Sequence, residues 1–329
     1  MERLSRSALL ALLTAFALAA CGGGGGDGSS PVPAAQTSPA ADQGSPAATS
    51  PAQQASGPQA TGDTATDGIN MFNFRRQQAG LSTLARAAIA DAAAQGHSEY
   101  QKRHDVITHE QTPGTEGFTG VTVGDRLAAA GYKFNSAYAY GEVLSATSDP
   151  SGFNAAEDLI AAIYHRFVIL DPVFIQVGAG AATVRNGATY FTTNFVADQL
   201  DRGLGPGKFV VYPFAGQQGV SRNFFSDHEV PDPVASRNEV GYPISIHADI
   251  TSTIEVQNFT IRPRGGSALQ VQLMQNRATT AAPADPNTPP SAAAIVPLDP
   301  LAAGVTYDVR FTGRVDGVSV DKEWSFTTQ

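Results

Sequence analysis

Three residues far apart in the chain are of types that do chemistry together: His109 in Thr108-His109-Glu110, Glu142 in Gly141-Glu142-Val143, and His165 in Tyr164-His165-Arg166. Two imidazole nitrogens and one carboxylate, with water in the fourth position, make the donor set of an open zinc site of the catalytic type. A metal-activated water with Glu142 or Glu110 as base would then carry out hydrolysis. No local motif fixes this geometry, so a fold has to gather the three. Tyr132, Tyr138, Tyr140 and Phe167 are expected near the same cleft, where they line a pocket for an apolar small molecule, lipid or peptide, or simply pack the core.

The other histidines carry less. His97 and His104 share a helix face and read as core or cap hydrogen-bonding groups. His228 and His247 stand near no carboxylate cluster and read as structural. Established enzyme signatures are missing: there is no His-Glu-x-x-His, no Gly-x-Ser-x-Gly and no P-loop. Gly178-Ala179-Gly180 and Gly203-Leu204-Gly205-Pro206-Gly207 are followed by strands rather than helix N-termini, so both read as turns.

The elements that must position the three residues follow from periodicity. A short helix over Ile69–Arg76 is broken at Gly80-Leu81, and a second helix, capped by Ser82, runs to Arg103 with Leu84, Ala88, Ala92 and Tyr100 on one face. A polar loop with His109 leads to a helix from Val123 to Ala130, stopped by Gly131. Tyr138–Leu144 reads as a strand and Phe153–Tyr164 as a helix. Phe174–Gly180 and Thr189–Val196 form a hairpin with an Asn186-Gly187 turn. Helices flanking a small antiparallel sheet make an α/β/α sandwich. After the glycine-rich break near Gly203 the chain carries only short alternating runs: Phe209–Phe214, Pro243–Ala248, Ile254–Ile261, Leu269–Leu273, Val305–Phe311 and Lys322–Thr328. They predict a β-sandwich, with an alanine/proline surface loop over Thr280–Pro290.

The 329 residues, 42% hydrophobic and 16% charged, suit a two-domain globular protein. A net charge of -9 without any Lys/Arg run argues against nucleic acid as a partner. The one cysteine, Cys21, excludes an intrachain disulfide. It closes a basic n-region and the apolar run Ala8–Ala20, too short to span a bilayer as a helix, so residues 1–20 read as a secretory leader. Residues 21–68 are rich in Gly, Ser, Ala and Pro and read as a disordered tether.

Two resemblances complete the reading. Leu18-Ala19-Ala20-Cys21 resembles a bacterial lipobox, which implies lipid attachment at Cys21 and a membrane as partner; Gly22 after the cysteine favours the outer membrane. Gly80-Leu81, His97-Ser98-Glu99-Tyr100, His109, Arg126 with Gly131-Tyr132, Gly141-Glu142, His165-Arg166, Gly178-Ala179-Gly180 and Tyr190–Phe195 stand in the order seen in bacterial CAP (SCP/PR1-like) domains. That resemblance implies an α+β architecture: a three-layer CAP sandwich over 69–200, followed at 207–329 by a sandwich similar to the immunoglobulin-like modules of bacterial surface proteins. It also implies a cleft in which His109, Glu142 and His165 hold zinc or another divalent cation. Val143 replaces the family's Asn, and the second acidic ligand has no secure counterpart, Glu157 lying two turns before His165. The expected function is a lipid-anchored envelope protein with a ligand-binding cleft. The alternatives are a metal-dependent hydrolase and a surface adhesion module whose cleft is vestigial.

Overall fold

The computed structural model describes residues 8–12, 57–134, 137–185, 187–201, 203–279 and 282–329. Most of the leader, Cys21, the tether as far as Ser56, and Asn186 of the expected turn lie outside the described residues. The first half runs β1 (Ala8–Leu12), α1 (Thr64–Gln78), β2 (Ala85–Arg86), α2 (Ala88–His104), α3 (Val123–Ala129), β3 (Ala139–Thr147), α4 (Gly152–Ala161), α5 (Ile163–Ile169), β4 (Gln176–Thr183) and β5 (Thr189–Ala197). The second half is β6 (Phe209–Tyr212), β7 (Asn223–Phe225), β8 (Glu229–Val230), β9 (Glu239–Gly241), β10 (Ile244–Ala248), β11 (Ile254–Pro263), β12 (Val271–Gln275), β13 (Ala292–Pro297), β14 (Thr306–Val315) and β15 (Val318–Thr327). No helix among the described residues is long and apolar enough to cross a membrane.

The first sheet has the order β2-β4-β5-β3-β1-β8. Its two faces are distinguished by register, because successive residues of a strand point to opposite sides. Glu142, Asn194 and Gly178 stand opposite one another across β3, β5 and β4, and so do Gly141, Phe195 and Val177 one residue away. The Gly178 row faces α2: a Cβ there would lie 2.2 Å from the Ala90 backbone, and one on Gly180 would lie 2.3 Å from Gln95. These glycines belong to a strand and let the helix approach closely, contrary to their reading as a turn. The Gly141 row faces the opposite layer, where a Cβ would meet Val168 of α5 at 2.6 Å and where Phe195 packs on Phe72 of α1. Helices α1, α4 and α5 therefore cover one face, and α2 with α3 the other. This is the expected α/β/α arrangement.

Several element boundaries depart from the sequence reading. Helix α1 begins at Thr64, inside the segment read as tether, because Asp63 accepts from the Thr66 N–H and Asp67 gathers the Thr61 and Gly62 N–H groups. Ser82 caps nothing. The chain before α2 is drawn into the sheet edge as β2, with the Ala85 and Ala87 N–H groups donating to Ile175 and Val177, and the helix starts at Ala88 without a side-chain cap. Within the expected leader, Ala8–Leu12 lies extended, antiparallel to β3 and parallel to β8.

The C-terminal region is β-rich. One sheet has the order β12-β13-β10-β6 and another β11-β14-β15, and Phe209 meets Phe311 edge-on between them at 6.2 Å. The core is continuous from Ile69 through Tyr212 and Tyr242 to Phe326, so the two regions share apolar packing.

Candidate functional site

Glu142 is fully buried on the α2/α3 face of β3, and its carboxylate is the centre of a buried polar cluster in which His109 Nε2 and Arg126 Nε alone stay without a partner among the described residues. Oε1 accepts from His109 Nδ1 at 2.9 Å and from Arg126 Nη2 at 2.8 Å. Oε2 accepts from the same Nη2 at 2.7 Å. In the amide orientation that satisfies its neighbours, Asn194 also donates to Oε2, at 3.0 Å, and accepts from the Ala94 N–H at 3.3 Å. Burial alone pushes the Glu142 carboxyl upward; Arg126, with His97 and His109, outweighs it and holds the group at about 2. It is an ion-paired carboxylate with every lone-pair direction in use, not a poised base.

Local sequence explains how each partner is delivered. Thr122 and Asp125 form a reciprocal capping box at the start of α3, with Thr122 Oγ1 accepting from the Asp125 N–H at 3.2 Å and Asp125 Oδ2 from the Thr122 N–H at 2.9 Å. That fixes Arg126 one residue further along the helix. Its Nη1 donates to the His109 carbonyl at 2.8 Å and the Val121 carbonyl at 3.2 Å. Arg126 thus holds both the carboxylate and the loop that carries His109. The loop is pinned again by Gln111, whose Oε1 accepts from the Thr119 N–H at 2.7 Å and whose amide donates to His97 Nδ1 at 3.0 Å.

His97, on the buried face of α2, donates through Nε2 to the Thr108 carbonyl at 2.7 Å. Because Nδ1 accepts, the ring must be neutral. Burial, only partly offset by Glu142, lowers its pKa to about 4. It stands 4.0 Å from Glu142 as a positioning group. His104, on the same helix, faces outward and bonds the Glu116 carbonyl at 2.8 Å. Glu110 is solvent-exposed and takes no part.

His165 does not join this cluster. It lies in the first turn of α5, on the opposite face of the sheet. The expected single helix over Phe153–Tyr164 stops at Ala161, Ala162 adopts an extended conformation, and α5 starts afresh. The break is imposed from a distance. Glu229 of β8 accepts the Ile163 N–H at 2.9 Å, the Tyr164 N–H at 2.7 Å and the His165 N–H at 3.1 Å, as well as His165 Nδ1 at 2.9 Å. A carboxylate on the orphan amides of a helix N-terminus is a stable arrangement. Arg166, the next residue, is buried against the Pro243 carbonyl at 2.6 Å and stacks on Tyr212 and Tyr242 at 5.0 and 4.8 Å. The His-Arg phrase therefore fastens the β-rich region to the sheet.

The three expected ligands are accordingly split two and one by the sheet. The donor set does not fit a divalent ion. Arg126 holds the position on Glu142 that an ion would need, and no group of three His, Cys, Asp or Glu side chains among the described residues could hold a metal, although His109 Nε2 is buried without a hydrogen-bond partner among them. Glu157 instead pairs with Arg75 at 2.7 Å. Of the expected pocket aromatics, Tyr132, Tyr138 and Tyr140 cluster around Phe134 beside α3, with centroids 4.5–5.7 Å from it, whereas Phe167 packs on His247 at 5.8 Å on the other side of the sheet. Arg126, Gln111 and Asn194 are the members that a search for ligands and bases passes over. The signal for Arg126 is the Thr-x-x-Asp box immediately before it.

A three-layer sandwich with a buried His/Glu/Arg cluster on one sheet face defines a recognisable class. Residues 69–195 match the profile of the cysteine-rich secretory protein family, CAP, and this part of the chain is a CAP domain. Two solved structures are similar. An extracellular protein containing an SCP domain from Bacillus anthracis str. Ames shares 25% identity over 43% of this chain and 45% of that one, with a TM-score of 0.35. An outer surface protein from Borrelia burgdorferi shares 14% identity over 39% of this chain and 88% of that one, with a TM-score of 0.33. The chain thus spans less than half of the Bacillus protein. No curated protein matches.

Proposed function

We propose that the protein is a lipid-anchored, extracytoplasmic binding module whose CAP cluster is structural rather than catalytic, and whose β-rich region is an immunoglobulin-like sandwich. The observation that carries the non-catalytic reading is the buried Arg126–Glu142 pair, with Arg126 Nη2 at 2.8 and 2.7 Å from the two carboxylate oxygens. A metal-dependent hydrolase would need that guanidinium displaced and a third ligand supplied from the far side of the sheet. The immunoglobulin-like reading is supported by strand order: taken as A to G, β6, β10, β11, β12, β13, β14 and β15 pair as A-B-E-D and C-F-G.

Anchoring is supported by the basic and apolar leader ending in the chain's one cysteine. Membrane fractionation of the wild type beside Cys21→Ser tests it. The wild type is expected in the membrane fraction and the variant in the soluble extracytoplasmic fraction. An unchanged membrane association of Cys21→Ser would refute attachment through that residue.

A further inference from the structure

A cavity of about 540 Å³ lies at the seam of the two regions, walled by Glu157 and Asp158 of α4 on one side and by Tyr212, Phe224, Phe225 and Tyr242 on the other. Its size is that of a small-molecule site. The CAP cluster plays no part in it.

Three features of the wall are unspent. The Tyr212 hydroxyl is completely buried and has no hydrogen bond of good geometry among the described residues, Gln217 being the polar side chain that approaches it. A buried hydroxyl without a partner is costly, and a ligand group would relieve that cost. The Asp158 carboxylate has no hydrogen bond or ion pair among the described residues, whereas its neighbour Glu157 is committed to Arg75. Partial desolvation at the rim, together with Asp149 and Glu157, raises the pKa of this otherwise exposed carboxyl. Phe225 remains 41% exposed at the mouth, its ring stacked on His228 at 5.4 Å.

Acceptors and hydroxyls between aromatic faces suit a ligand with many hydroxyl donors and apolar C–H faces. The charges argue for neutrality: Arg75 is matched by Glu157, and His228 of the same wall acts on Asp158 from the opposite side of the charge balance. The geometry points to a binding site for a neutral saccharide in the seam, with Asp158 and the Tyr212 hydroxyl bonding sugar hydroxyls and Phe225 supplying a stacking face. This rests on the reading of the protein as a binding module and assigns that module a ligand class.

The test is a glycan array of neutral and acidic mono- to tetrasaccharides, probed with the full chain extracted in detergent, alongside Asp158→Asn and Phe225→Ala. Both substitutions are at exposed positions, so the variants are expected to fold. Trp324, the chain's one tryptophan, donates to the Pro213 carbonyl at 3.0 Å next to Tyr212 and reports affinity by fluorescence titration. Neutral glycans should bind, and each variant should lose about tenfold or more, as for a lost hydrogen bond to a charged group or a lost aromatic contact. Tyr212→Phe should weaken binding in the same direction. No neutral glycan bound, binding only of acidic glycans, or equal affinity in wild type and both variants would overturn the site. Any of these results leaves the anchoring reading to its own fractionation test.

Discussion

Replacing Arg126 by Met keeps the methylene stem in place and removes the guanidinium. Four hydrogen bonds go with it: two to Glu142 and those to the His109 and Val121 carbonyls. The carboxylate left behind is fully buried, with His109 and Asn194 as its remaining donors. Breaking one side of a buried ion pair costs about 3–5 kcal/mol, because the stranded charge must be neutralised or solvated. Urea unfolding followed by far-ultraviolet circular dichroism should therefore show a loss of that size at pH 7. The sign with pH is also fixed. In wild type the Glu142 carboxyl sits at about 2; without Arg126, burial pushes it above its unfolded value, so the variant gains relative stability as the group protonates. The gap between wild type and variant should narrow on acidification. Arg126→Met combined with Glu142→Gln should cost less than the two single losses together, since no bare charge remains. A loss below about 1 kcal/mol for Arg126→Met, or strict additivity in the double variant, would refute the argument that the pair is the keystone of this face.

Other outcomes follow from the same structure. His97 and His247 are neutral when folded, with pKa values lowered by burial to about 4 and about 3. Depressed values mean that the stability they contribute is complete above about pH 6.5 and is lost as the pH falls toward those folded values; for His97 the displacement is worth about 3 kcal/mol. Thermal melts from pH 7 to pH 4 should show this decline, and a flat profile would contradict it. Glu229→Gln removes the charge that caps α5; it should cost about 1–3 kcal/mol and speed hydrogen exchange at the Ile163, Tyr164 and His165 amides, and unchanged exchange there would count against the proposed fastening of the β-rich region.

Much of the framework could be read directly from the chain, and the failures have specific causes. The hairpin, α3 and most β-rich strands follow from alternation and turn residues. Strand β13 escapes because Ala292-Ala293-Ala294 has low strand propensity and is buried on both faces, which removes the alternation. The break between α4 and α5 escapes because the apolar stripe runs through it and its cause, Glu229, is 66 residues beyond Ile163. Gly178 and Gly180 look like turn residues until a helix is found against them. At the site, His109 and Glu142 meet as the ordered motif set implies. The assignment of His165 fails for a physical reason: residue type gives affinity for a metal, but only register decides on which side of a sheet a side chain emerges. Arg126 stands in the motif set without an assigned role for the converse reason, since an arginine on a short capped helix normally reads as a solvated charge.

The Arg126 guanidinium occupies the place on the buried Glu142 carboxylate that a metal ion would take. Calorimetric titration of the purified full chain with zinc tests it most directly. The wild type should show no stoichiometric binding at micromolar zinc and no change in unfolding temperature. One zinc bound per chain, with the site lost in His109→Ala and in Glu142→Gln, would contradict it.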